Sequence, residues 1–220
     1  MSSKRLIRWS GVALMLGGIT LAVHYLTHPP GETAQYALYP LWVPSHWLGG
    51  IASLLIALGL IGLYARQSEK VGLLGLIGFI LTFVGSTLSA GASVYLSVGL
   101  IPFLAAQGMD SLVDPKGPLF TAPAMLFAVG LAGLSLLLGL LLFAIATLRA
   151  RVLPRWGAWL IILTIPLGIL AVVLVFFIGT SLQGILQSLL GSVLGLGLLA
   201  WGWALWSEKG EVVAQAKPAM

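Results

Sequence analysis

No cysteine occurs anywhere in the chain, which excludes disulfides, thiolate catalysis, iron–sulfur clusters and cysteine-ligated zinc. Charge is nearly as scarce. Only 8% of the 220 residues are Asp, Glu, Lys or Arg, where a soluble domain carries about 25%. No charged residue falls at the middle of an apolar run; each lies in a link, in a tail or within about one helical turn of a run's end. Proton pumps, voltage sensors and ion-coupled transporters therefore lack their usual intramembrane carriers. Also missing are a phosphate-cradling glycine loop followed by Lys and Ser/Thr, an HExxH pair and paired acids within an apolar run. The serines that recur in the third apolar run lie inside it while the histidines lie outside the runs or at their edges, so a serine nucleophile has no evident base.

What remains is apolar. Hydrophobic residues make up 59% of the chain and the mean hydropathy is +1.06, more than an aqueous fold can bury. The composition predicts an all-α polytopic membrane helical bundle. Six transmembrane helices are expected at about 7–25, 47–64, 71–98, 123–148, 156–178 and 185–206, within a single membrane domain 1–206 followed by a polar tail, 207–220. The first run, preceded by Lys4, Arg5 and Arg8, has the outline of a signal peptide. The following HYLTHPPGE offers no small-x-small cleavage site, so the run is read as a retained span. Pro166 should bend the fifth helix. In the link 99–119, the spacing of Ile101, Leu104, Ala105, Leu112 and Val113 predicts a short helix lying in the membrane surface.

Orientation follows from where the basic residues fall. With the N-terminus inside, Lys4, Arg5, Arg8, Arg66, Lys70, Arg149, Arg151, Arg155, Lys209 and Lys217 are cytoplasmic, and Lys116 alone is outside. Such a bias places both termini in the cytoplasm, and loops 26–46 and 99–119 on the outer face of the inner (plasma) membrane. Trp9, Trp156, Trp159, Trp201, Trp203 and Trp206 then form an inner aromatic belt, and Tyr36, Tyr39, Trp42 and Trp47 an outer one. The net charge of +5 thus reflects headgroup contact and orientation, so the expected partners are membrane lipids and not nucleic acid.

Two groups of residues are candidates for a site. The stretch from His24 to Gly50 carries all three histidines, four prolines (Pro29, Pro30, Pro40, Pro44) and a series of aromatics. His24 and His46, at matching depth on neighbouring spans, would suit the two axial positions of a haem b, or with His28 a three-nitrogen metal site. The plainer reading is that they are amphipathic anchors. In the third span Gly85, Ser89, Ser93 and Ser97 recur every four residues. The sixth span has Gly184, Ser188, Ser192, Gly191, Gly195, Gln183 and Gln187 to meet them. Small residues at that spacing predict a close helix pair; the alternative is a polar cavity lined by Ser89, Ser93 and Gln187 beneath His46 and Trp47.

The segments HWLGGIASLLIALGLIGLYARQSEKVGLLGLIGF and RARVLPRWGAWLII resemble parts of bacterial multi-pass inner-membrane proteins with no established activity. The resemblance implies location and nothing mechanistic. The expected function is a non-enzymatic accessory or scaffold protein, or a binder of lipid-like ligands, with other membrane proteins or a second copy as further partners and no cofactor. One alternative is a small-solute permease using the serine-lined third span. Another is a haem-binding redox protein using His24 and His46.

Overall fold

The computed structural model describes residues 3–31, 33–114, 116–178 and 182–207. The regular structure among them is entirely helical. Its elements are α1 (Ser3–Thr27), α2 (Ala34–Ala37), α3 (Trp42–Ala92), a π-helical segment (Ser93–Leu100), α4 (Ile101–Ala106), α5 (Asp110–Val113), α6 (Pro118–Thr121), α7 (Pro123–Ala150), α8 (Arg155–Ile178) and α9 (Gln183–Ser207). Among the described residues five helical stretches are long and apolar enough to cross a membrane, one of them the 65-residue run Trp42–Ala106.

A straight helix of that length would reach about 100 Å, some three times the hydrocarbon thickness. Instead α3 doubles back at Gly72, whose φ of 58° and ψ of −160° suit glycine and no side chain. Residues 42–71 form one arm and 73–92 the other, and they run antiparallel. Ser93 Oγ donates to the His46 carbonyl at 2.7 Å near the open end, and Tyr64 stacks on Phe79 at 4.7 Å near the fold. The polar sequence ARQSEK fills the gap, 65–70, between the expected second and third spans. It is helical, because Ala, Arg, Gln, Glu and Lys are good helix formers, and the reversal falls on the glycine just after it.

The long helices form a closed ring. The first arm of α3 packs on α1, α1 on α9, α9 on α8, α8 on α7, and α7 on the second arm. Glycines set the closest approaches. A Cβ on Gly11 would lie 2.7 Å from the carbonyl oxygen of Gly202, and one on Gly18 would lie 2.5 Å from that of Gly195, so α1 and α9 touch backbone to backbone. Gly78 and Gly85 of the second arm meet the backbone of α7 at Phe143 and Leu136. The expected pairing of the third span with the sixth is therefore corrected. The small-residue faces pair as second arm with α7 and as α9 with α1, because the spacing makes a face smooth without choosing its neighbour.

One half of the ring is solid. Leu14, Leu60, Leu63, Phe143, Leu198, Trp201 and Leu205 are fully buried there, with Phe143 and Trp201 meeting edge to face at 5.9 Å. Antiparallel packing brings the termini carrying Arg8, Arg66, Arg149 and Arg155 to this end, where Arg8 lies over the Trp206 ring at 4.5 Å. A second, smaller core caps the other end. Trp42 and Val113 are completely buried in it, among Ala34, Ala37, Ile101 and Ala105.

Burial in these two cores corrects three expectations. Ile101, Ala105 and Val113 do not lie in a surface helix; α4 and α5 fold them inward over Trp42. Trp42 does not belong to an outer belt, since its indole donates to the Ser97 carbonyl from inside the cap. Trp201 likewise leaves the inner belt for the core, whereas Trp9, Trp156, Trp159 and Trp203 stay exposed. An indole suits an interface and a core equally, and only packing decides between them. The expected link after α8 falls largely on residues 179–181 and the tail on 208–220, outside the described residues.

The second arm ends in the π-helical segment, just before Pro102. Proline has no N–H for the carbonyl four residues back, and its ring crowds that carbonyl, so a regular α-register cannot pass it intact. The widened turns carry Ser93 and Ser97, whose polar atoms hold His46 and Trp42. Local backbone irregularity thus coincides with the open end of the bundle.

Candidate site: a histidine-roofed cavity

Between the solid half and the cap lies an open-sided cavity of about 880 Å³. Its polar groups come from four elements. His24 and Tyr25 end α1, His46 begins the first arm, Ser89, Ser93 and Ser97 follow the second arm into the π-helix, and Gln187 comes from α9. Met125, Val129 and Gly130 of α7 supply an apolar side. No Asp, Glu, Lys or Arg is among the described lining residues.

Each imidazole of the roof is anchored through Nδ1. His24 Nδ1 meets the Ser45 carbonyl at 2.7 Å, His28 Nδ1 that of Pro29 at 2.6 Å, and His46 Nδ1 that of Trp42 at 2.8 Å. The Ser45 and Trp42 carbonyls lie in the first turn of α3, and a carbonyl oxygen in a helix keeps a second lone pair for a side-chain donor. Ser93 clasps the other side of His46 through its carbonyl. His24 also lies flat against Gly49, where a Cβ would stand 3.0 Å from the ring, so only a glycine there leaves it room.

The three rings are mutually close. Their centroids are 5.1 Å apart for His24 and His28, 4.7 Å for His28 and His46, and 5.9 Å for His24 and His46. His28 Nε2 and His46 Nε2 are 3.2 Å apart. Tyr25 beneath them is seated by α9: Ser188 Oγ lies 2.9 Å from its carbonyl, and its ring rests on Gly191.

Of the residues singled out from sequence, His24, His46, Ser89, Ser93 and Gln187 meet in this one cavity. Trp47 does not join them. It is 45% exposed and points out of the ring, about 100° round the helix from His46. Tyr25 and the α7 wall were not anticipated. Tyr25 resembled any interfacial tyrosine, and the only trace of the wall is Gly130 and Gly133, whose Cβ positions meet nothing within 4 Å.

No protein-family model, curated protein or solved structure matches the chain. The chemistry of the cavity therefore carries the functional reading alone.

Proposed function

We propose that the chain crosses the membrane six times, with both termini cytoplasmic and the cap on the outer face, and that it holds a lipid-like amphiphile in the cavity beneath that cap. The carrying observation is the cavity's polarity gradient. Imidazoles, hydroxyls and the Gln187 amide gather at its capped end, while leucine, valine, methionine and glycine line the side formed by α7. Sites of this kind orient a ligand by a few polar groups and gain affinity from apolar burial.

The open side supports an amphiphile over a free solute. Leu126 and Val129 line the cavity and yet are 59% and 48% exposed, so the opening lies along a surface of membrane-spanning composition. An acyl chain entering there would keep its tail in an apolar setting while its head reached the histidines. Leu14, Leu60, Phe143, Leu198 and Trp201 fill the opposite half. That filled half favours holding over permeation. Haem fits the roof poorly, because the His28 ring stands within 5.1 Å of both His24 and His46 where the macrocycle would have to pass.

Native mass spectrometry of protein extracted in mild detergent tests the reading. The wild type should retain one amphiphile per chain. Gly130→Phe, placed where no atom lies within 4 Å of the new Cβ, should release it while leaving the protein monodisperse. Equal retention by the two proteins would sink the reading.

A further inference from the structure

The space around the cavity does not end at its apolar wall. Past α7 and α9 a crevice follows one face of α8. Ile161, Ile165, Gly168, Val172 and Val175 succeed one another at steps of three and four residues, so they form a single stripe along that helix. The first two line a recess of about 120 Å³ with Leu136, Leu140 and Leu194. The other three line a recess of about 260 Å³ with Leu186, Gln187 and Leu190. From Ile161 to Val175 the helix rises about 21 Å, more than the ~15 Å that makes half of a bilayer's hydrocarbon thickness.

Two residues join this crevice to the cavity. Gly133 of α7 lines both the inner recess and the cavity, and Gln187 of α9 lines both the outer recess and the cavity. Gly133 puts no side chain between the two spaces, and a Cβ there would meet nothing within 4 Å. Polarity follows the same axis as in the cavity. Thr164 is the polar side chain of the inner recess, and its hydroxyl donates to the Ile161 carbonyl at 2.6 Å. In the outer recess the polar side chains are Gln183 and Gln187, on the first turns of α9 at the capped end. Val172 lines the crevice and is 71% exposed, so the crevice, like the cavity, opens along the apolar surface of the bundle.

We infer that the amphiphile has two hydrocarbon chains, one lying in the cavity along α7 and the other in the crevice of α8, parted around Gln187 with the head beneath the histidines. The inference rests on the proposed holding of an amphiphile and names its class, a diacyl lipid. Between lipid and protein there is no water to leave, so contact decides affinity. A single chain in the cavity would leave the crevice beside it unfilled and forfeit dispersion along both walls. Two separate single-chain molecules would fill both spaces but bring two heads to one polar roof. A diacyl lipid fills both with one head, and the Gln187 amide stands where the chains diverge, with N–H groups suited to an ester carbonyl.

Protein stripped of lipid and mixed in detergent with equimolar dipalmitoyl- and monopalmitoyl-phosphatidylethanolamine tests the inference, with bound lipid read by native mass spectrometry. The diacyl lipid should be retained at one per chain and at least ~10-fold over the monoacyl lipid, a small part of what packing a second chain contributes. Gly168→Leu adds a side chain where a Cβ meets nothing within 4 Å; it should bring that ratio close to one while monoacyl retention stays. Val172→Trp, on the open edge of the crevice, is a second block with the same expected result. Equal retention of the two lipids by the wild type overturns the inference, needs no variant to fold, and leaves the holding of an amphiphile standing. Retention of neither lipid overturns both readings. A diacyl preference that survives both blocking substitutions in monodisperse protein places the second chain outside the crevice and overturns the inference equally.

Discussion

Replacing Gly85 with alanine should loosen the contact between the second arm of α3 and α7. A Cβ at that position would stand 2.7 Å from Leu136 Cα and 2.9 Å from Leu136 Cβ, where carbon atoms prefer about 3.5–4.0 Å. The shortfall is about 1 Å, and it is against backbone, so no side-chain rotation relieves it. The helices must part. Overpacking of this kind costs about 1–3 kcal/mol, while Gly to Ala within a helix returns about 0.5–1 kcal/mol. Net destabilisation of roughly 0.5–2 kcal/mol remains, which for a chain of this size lowers the unfolding midpoint by about 1–8 °C. Gly133→Ala is the control. It lies on the facing helix α7, and its Cβ meets nothing within 4 Å, so it should keep the helix gain and raise the midpoint slightly. Intrinsic fluorescence of the eight tryptophans during a thermal ramp in detergent reads both. A Gly85→Ala midpoint at or above wild type would show that this face is not a tight interface.

A buried polar link between the first arm of α3 and α7 offers a second measurement. Gln67 Nε2 donates to Thr147 Oγ1 at 3.0 Å, and both residues are buried. Thr147→Val should cost about 1 kcal/mol by stranding the amide, and adding Gln67→Leu should recover part of it; strict additivity in the double-mutant cycle would deny the link. Topology is open to a direct test, because the chain has no cysteine. In intact cells a membrane-impermeant thiol reagent should label Tyr39→Cys but reach Ser68→Cys only after the membrane is breached, both positions being exposed. The reverse pattern would invert the assigned orientation.

Much of the architecture is legible in the residues because bilayer physics acts on local sequence. A run of apolar residues long enough to cross hydrocarbon must be helical to satisfy its own backbone, so α1, α7, α8 and α9 lie within a few residues of their expected bounds. The collection of arginines at one end of the bundle is legible for the same reason. The site was half legible. His24, His46, Ser89, Ser93 and Gln187 stood out as polar groups in an apolar chain, and their meeting in one cavity required only antiparallel neighbours. Trp47 misled because one residue along a helix turns a side chain by about 100°, and chemistry alone does not say which of two adjacent residues faces inward.

The amino-acid sequence by itself determined the helical class, the membrane-like composition, the exclusion of cysteine chemistry and the segregation of basic charge, since each depends on composition or on contacts within one helix. Tertiary structure alone decided the rest. Gly72 rather than the polar ARQSEK makes the reversal. Small-residue faces choose α7 and α1 as neighbours, and Trp42 leaves the interface to fill a cap. His28, on the short segment after α1, swings between His24 and His46 to within 3.2 Å of a partner nitrogen. These are contacts between residues far apart in the chain, and their energies depend on shape at ångström scale, which periodicity and hydropathy do not carry.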